Sequence, residues 1–152
     1  MERLGARLAV AARAGAIVYL RGDLGAGKTT FVRGLLRAFD PKAVVKSPTY
    51  TLIEPYRFGT LTIMHFDLYR LRRAAELEDA GLRDAFTGDC LCLVEWPERG
   101  LGYLPPSDLD IEIKVVDDHS RALTATATSE HGRKLLETLL AQPGSARSAR
   151  ST

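Results

Sequence analysis

Ala16-Ile17-Val18-Tyr19-Leu20 is a continuous β-prone run that leads straight into glycines, and the segment behind the glycines carries Phe31, Leu35 and Leu36 at helical spacing. Between the two lies Gly22-Asp23-Leu24-Gly25-Ala26-Gly27-Lys28-Thr29, which matches G-x-x-x-x-G-K-[ST] at every fixed position. A strand, a glycine turn and a helix in that order are the context in which this motif cradles phosphate. The glycines let backbone N–H groups turn inward without an obstructing Cβ, and the start of the helix adds its positive dipole end. Lys28 is expected to place its ammonium between the β and γ phosphates, and the Thr29 hydroxyl to be a ligand of Mg²⁺. The stretch Asp23, Leu24, Gly25, Ala26, Gly27, Lys28, Thr29 and Thr30 is therefore the expected nucleotide contact, with ATP and Mg²⁺ as cofactors.

The remaining pattern predicts one α/β domain over residues 1–141, a mixed parallel and antiparallel sheet flanked by helices. Residues 2–14 read as a short amphipathic helix stopped by Gly15. Two hydrophobic strands, 51–56 and 61–66, are separated by residues 57–60, a loop length typical of a hairpin. Helical patches follow at 74–80 and 82–86, then a buried-type strand at 91–94 and a Gly/Pro-rich connection through Pro105-Pro106. Residues 110–116 and 121–128 alternate as strands around Asp117-Asp118, and 130–140 closes as an amphipathic helix. No internal repeat is visible. From Gln142 onward the composition turns to Pro, Gly, Ser, Ala and Arg without a large apolar anchor, so residues 142–152 are expected to be a disordered tail.

Bulk properties narrow the class. The 152 residues are 45% hydrophobic and 26% charged with a formal charge of +2, ordinary for a globular chain and too balanced to imply broad nucleic-acid binding. Cys90 and Cys92 stand two apart in an apolar run, where packing as free thiols is the expectation; a disulfide framework or a zinc site would need further ligands. No apolar stretch reaches the roughly 20 residues that cross a bilayer, and no signal-peptide core is present, so the expected location is the cytoplasm, away from membranes.

A P-loop enzyme needs an acid at the end of a neighbouring strand to hold the metal from its other side. Asp67 ends the run Leu61-Thr62-Ile63-Met64-His65-Phe66, and Glu95 ends Leu91-Cys92-Leu93-Val94; spacing alone leaves both open. His65 is read as packing or hydrogen bonding, without a catalytic role. In Ser47-Pro48-Thr49, Pro48 restrains Ser47 away from helical geometry, and the flanking hydroxyls can approach a γ-phosphate, as a switch-like loop or as a plain turn.

Taken together, Gly22-Asp23-Leu24-Gly25-Ala26-Gly27-Lys28-Thr29-Thr30, Ser47-Pro48-Thr49-Tyr50-Thr51-Leu52, His65-Phe66-Asp67-Leu68-Tyr69-Arg70-Leu71 and Val94-Glu95-Trp96-Pro97 resemble the TsaE (YjeE) family of P-loop ATPases in tRNA threonylcarbamoyladenosine biosynthesis. The resemblance runs from about residue 2 to 140. It implies Glu95 as the metal partner of Thr29 and Asp67 as a second acid for hydrolysis, so that Lys28, Asp67 and Glu95 form the catalytic set. It further implies Ser47, Pro48 and Thr49 as a mobile switch loop, Trp96 as a shaper or reporter of the site, and Arg121 as an adenine contact. The implied partners are the TsaB and TsaD proteins, whose complex the ATPase resets between rounds of modification, with tRNA contacted indirectly. Members of the family usually begin some ten residues earlier, with a strand that contributes to the nucleotide pocket.

Three other readings compete. A small-molecule kinase would use Arg70, Arg72 and Arg73 as a phosphate-clamping lid, but no acceptor pocket is legible in so short a chain. A G protein is disfavoured because the chain has no Asn, hence no Asn-Lys-x-Asp motif, and its one Gln, Gln142, lies in the tail. A nucleotide-gated binding module with incidental turnover stays closest to the ATPase reading.

Overall fold

Strand β1 (Ile17–Arg21) is buried along most of its length because both of its faces are covered. Val18 and Leu20 join one core cluster, and Ile17 and Tyr19 join another on the opposite face. This explains why the run reads as continuously apolar instead of alternating. In the computed structural model, which describes residues 1–48, 51–79, 82–86 and 88–141, β1 lies inside a six-stranded sheet of order β2-β3-β4-β1-β5-β6. The other strands are β2 (Ile53–Phe58), β3 (Leu61–Asp67), β4 (Cys90–Glu95), β5 (Leu109–Val115) and β6 (Arg121–Ala127). The inner strands β3, β4, β1 and β5 run parallel; β2 and β6 pair antiparallel at the two edges. The expected mixed sheet is therefore the observed one.

Helices α1 (Glu2–Ala9), α2 (Lys28–Phe39) and α4 (Glu130–Leu140) cover one face. Phe31, Val32, Leu35 and Leu36 of α2 and Leu135 and Leu139 of α4 meet Val18, Leu20, Leu91, Leu93, Leu109 and Ile111 there. The short α3 (Glu76–Asp79), the 3₁₀ turn Leu82–Phe86 and the loop after β3 cover the other face, where Leu68, Leu71, Leu77 and Leu82 pack on Phe66, Cys92 and Val94. Tyr19 is buried on this side and donates its hydroxyl to the Pro105 carbonyl. Burial pushes its phenol up to about 12.

Several element ends differ from expectation. The first helix stops at Ala9, not near residue 14: the N–H groups of Val10, Ala11 and Ala12 bond three residues back, to Arg7, Leu8 and Ala9, so the last turn tightens into 3₁₀ form. Strand β2 runs to Phe58, leaving only Gly59, at φ +60°, and Thr60 to join it to β3. That is the two-residue connection whose backbone suits the strand twist. Helix α2 begins at Lys28, two residues earlier than its apolar spacing shows, because Gly27 at φ +116° serves as the N-cap. The expected helical patch at 74–80 forms only the single turn of α3, and its last residue lies outside the described residues, as does the expected tail 142–152. Among the described residues, no helix is long and apolar enough to cross a membrane.

Candidate functional site

Because β1 and β4 are parallel neighbours and α2 follows β1, the N-terminus of α2 opens beside the C-terminal end of β4. Leu91, Leu93 and Glu95 share the β4 face that looks toward α2, as period 2 demands. The same face of β3 carries Ile63, His65 and Asp67, and Asp67 is the register partner of Glu95. Both acids considered from the sequence thus end adjacent strands beside the phosphate loop.

Lys28 is 4% exposed, and its ammonium donates to the Gly22 carbonyl at 2.5 Å and the Asp23 carbonyl at 2.9 Å. It also lies 4.2 Å from the centroid of the Trp96 ring, a cation–π contact. Burial lowers the Lys28 pKa from the ordinary lysine value, against the raising effect of the carboxylates of Glu95, Glu98, Asp67 and Asp23. The Thr29 hydroxyl donates to Glu95 Oε1 at 2.9 Å, with Oε2 at 3.2 Å, and stands 3.2 Å from the Ser47 hydroxyl. Glu95 is 2% exposed, and its Oε1 also lies 2.9 Å from Nε2 of the fully buried His65. Asp67 accepts the Tyr69 N–H, while its own N–H donates to the Leu52 carbonyl. Burial and the nearby Glu95 charge raise the Asp67 pKa above the usual carboxylate value.

A cavity of about 200 Å³ joins these groups, lined by Leu24, Gly25, Gly27, Lys28, Thr29, Thr30, Ser47, Asp67, Tyr69, Glu95 and Trp96. Asp23 and Ala26 support it from the loop without lining it; the Ala26 N–H bonds back to the Asp23 carbonyl. Arg121, expected as an adenine contact, is bonded to the phosphate loop: its Nε donates to the Ala26 carbonyl at 3.1 Å, and its Nη1 to the carbonyls of Asp117 and Ser120. Pro48 is buried next to Ser47, and Thr49 lies outside the described residues.

Thr29 and Glu95 present hard oxygen donors a hydrogen bond apart, the donor type that suits Mg²⁺. Among the described residues no group of three His, Cys, Asp or Glu side chains could hold a metal by itself. A small protein donor set completed by substrate phosphates and water is the usual arrangement for this ion, so the residues fit it.

The family model for Threonylcarbamoyl adenosine biosynthesis protein TsaE matches residues 1–123. The chain belongs to the TsaE family. Among TsaE proteins it is 48% identical over 120 residues to the tRNA threonylcarbamoyladenosine biosynthesis protein TsaE of Haemophilus influenzae, covering 79% of this chain and 75% of that one. The Bacillus subtilis TsaE protein is 42% identical over 128 residues, with 84% and 80% covered. In three dimensions the chain is similar to the crystal structure of Bacillus subtilis YdiB, at a TM-score of 0.76 and 35% identity, covering 91% of this chain and 85% of that one.

Within this TsaE chain, two site features escaped the sequence reading. The packing or hydrogen-bonding reading of His65 does not name Glu95 as its partner, although a spacing of two from Asp67 on a strand puts both on the face beside the site. The aromatic rim is the other: Tyr69 and Trp96 lie 5.0 Å apart, and the Arg99 guanidinium stands 5.4 Å from the Tyr69 ring and 5.9 Å from the Trp96 ring. No spacing signal links residues 69 and 96; only the pairing of β3 with β4 brings the segments after them together.

Proposed function

We propose that this TsaE-family chain is a Mg²⁺-dependent ATPase that supports a TsaB–TsaD complex in the threonylcarbamoyl modification of the adenosine next to the tRNA anticodon. The observation that carries the reading is the convergence of Lys28, Thr29 and Glu95 on one cavity beside a glycine loop at a helix N-terminus. Relatives at 48% and 42% identity bear names that place them in this tRNA modification.

In this reading the backbone amides of Gly25, Gly27, Lys28, Thr29 and Thr30, which line the cavity, hold the polyphosphate, and the Lys28 ammonium leaves the Gly22 and Asp23 carbonyls to meet its outer phosphates. Thr29 and Glu95 would hold Mg²⁺, which supplies Lewis-acid charge stabilisation when bound. Asp67 orients the attacking water and accepts its proton; burial raises its basicity, which suits that task. Ser47, 3.2 Å from Thr29, stands within reach of the γ-phosphate and takes the switch role there. Trp96 gives the Lys28 ammonium a resting surface and reports its departure. Arg121, tied to the phosphate loop at Ala26, is the adenine contact of this reading. Turnover by the chain alone is slow, because among the described residues no glutamine or arginine lines the cavity; TsaB and TsaD raise it. The tRNA is contacted through those partners.

The test is Mg²⁺-dependent ATP hydrolysis with and without TsaB, TsaD and tRNA, for the wild type and Lys28→Ala. Partner-stimulated hydrolysis lost in the variant is the expected result; equal rates with and without partners would count against it. Multiple rounds of tRNA modification sustained by Glu95→Ala would instead make the chain a nucleotide-gated module in which hydrolysis is dispensable.

A further inference from the structure

His65 is fully buried on β3, held between Glu54 of β2 and Leu93 of β4 in the strand register. Its Nε2 lies 2.9 Å from Glu95 Oε1, and its Nδ1 has no hydrogen-bond partner among the described residues. A carboxylate only accepts, so Nε2 carries the hydrogen. Nδ1 is then buried without a partner, a cost that a leucine at this position would not incur. A histidine placed here for packing alone would be inferior to its apolar neighbours Ile63 and Phe66. What it adds is one directed N–H, aimed at the carboxylate that also receives Thr29.

We infer that His65 is a positioning residue that fixes the Glu95 carboxylate toward Thr29 and thereby sets the metal affinity of the nucleotide site, an inference that rests on the ATPase reading above. Glu95 has rotatable bonds between its backbone and its oxygens, and the Thr29 hydroxyl alone anchors it from one side. The His65 N–H anchors it from the other, through a ring whose own backbone is paired on both edges. Partners that orient a ligating carboxylate typically change metal affinity or activity by about 10–100-fold when removed.

The decisive comparison is His65→Leu, which removes the donor and keeps the bulk, against His65→Gln, whose amide nitrogen can restore an N–H near the Nε2 position. ADP binding to the full chain is measured calorimetrically with Mg²⁺ and with EDTA, beside thermal melting. His65→Leu is expected to lose about 10–100-fold in the affinity gained from Mg²⁺. Its binding of metal-free ADP should stay near wild type, and His65→Gln should recover most of the loss. Equal Mg²⁺ dependence in wild type and His65→Leu overturns the assignment of His65 while leaving the nucleotide reading intact. Absence of any ADP or ATP binding by the wild type overturns the nucleotide reading and this inference with it. If His65→Leu does not fold, His65→Asn, too short to reach Glu95, takes its place; Asn and Gln variants with the same Mg²⁺ dependence overturn the assignment.

Discussion

The Thr29 hydroxyl donates to the Glu95 carboxylate at 2.9 Å, joining the first turn of α2 to the last residue of β4. One end of this contact belongs to the phosphate loop and the other to a neighbouring strand, so it measures how β1 and β4 are set side by side. Glu95→Gln keeps the shape and an acceptor for Thr29 but removes the charge. Hydrolysis should fall at least about 100-fold, the upper end of what even an outer metal partner costs. Nucleotide affinity, carried by Lys28 and backbone amides, should stay within about tenfold, or 1.4 kcal/mol. Steady-state hydrolysis and calorimetry on the same preparation check both halves.

Asp67 predicts a conflict between stability and activity. Its folded pKa is raised by burial and by Glu95, so the folded chain keeps this proton to higher pH than the unfolded chain does. The stabilising contribution of the protonated carboxyl is fully present below the unfolded value of about 3.9 and is lost as pH rises through the folded value. Asp67→Asn, which stays neutral, should therefore match wild type in acid and be more stable at neutral pH, while losing hydrolysis. Urea unfolding at pH 4 and pH 7 checks the sign; a variant less stable than wild type at pH 7 would contradict it.

Much of this architecture is legible in the residues. The apolar run at β1, the glycine motif and the helical spacing of α2 force one local arrangement, and Glu95 and Asp67 stand at strand ends by simple inspection. Element ends are less legible: α1 stops at Ala9, where the N–H groups of Val10, Ala11 and Ala12 turn to carbonyls three residues back, although its apolar pattern runs on. The hydrogen-bonding reading of His65 holds, but its partner was not legible, because a lone histidine in a β run looks the same whichever group it bonds. The difference lies in the parallel pairing of β3 with β4, a long-range fact that no local pattern contains.

The contact between α1 and α2 depends on two glycines. A Cβ added at Gly5 would sit 1.9 Å from the Phe31 carbonyl oxygen, and one at Gly34 would sit 2.0 Å from the Glu2 carbonyl oxygen. Both obstacles are backbone, so the helices must move apart. Gly5→Ala and Gly34→Ala should each destabilise by about 1–3 kcal/mol or more, although alanine is the better helix former by roughly 1 kcal/mol. Melting temperatures equal to or above wild type would refute the close approach.

The cysteines should differ sharply in reactivity. Cys92 is 1% exposed and burial pushes its thiol up to about 12, whereas Cys90 is half-buried at the start of β4. A thiolate is the reacting species, so at neutral pH Cys92 should stay inert in the native chain. Titration with a chromogenic disulfide should show one accessible thiol under native conditions and a second only in denaturant.

Everything functional proposed for this chain requires Lys28 to grip phosphate, and calorimetric titration of the full chain with ATP or ADP and Mg²⁺ tests that most directly. Saturable binding in the wild type, abolished in a folded Lys28→Met variant, is the predicted result. No heat of binding in the folded wild type, even with TsaB and TsaD present, or unchanged affinity in the variant, would contradict it.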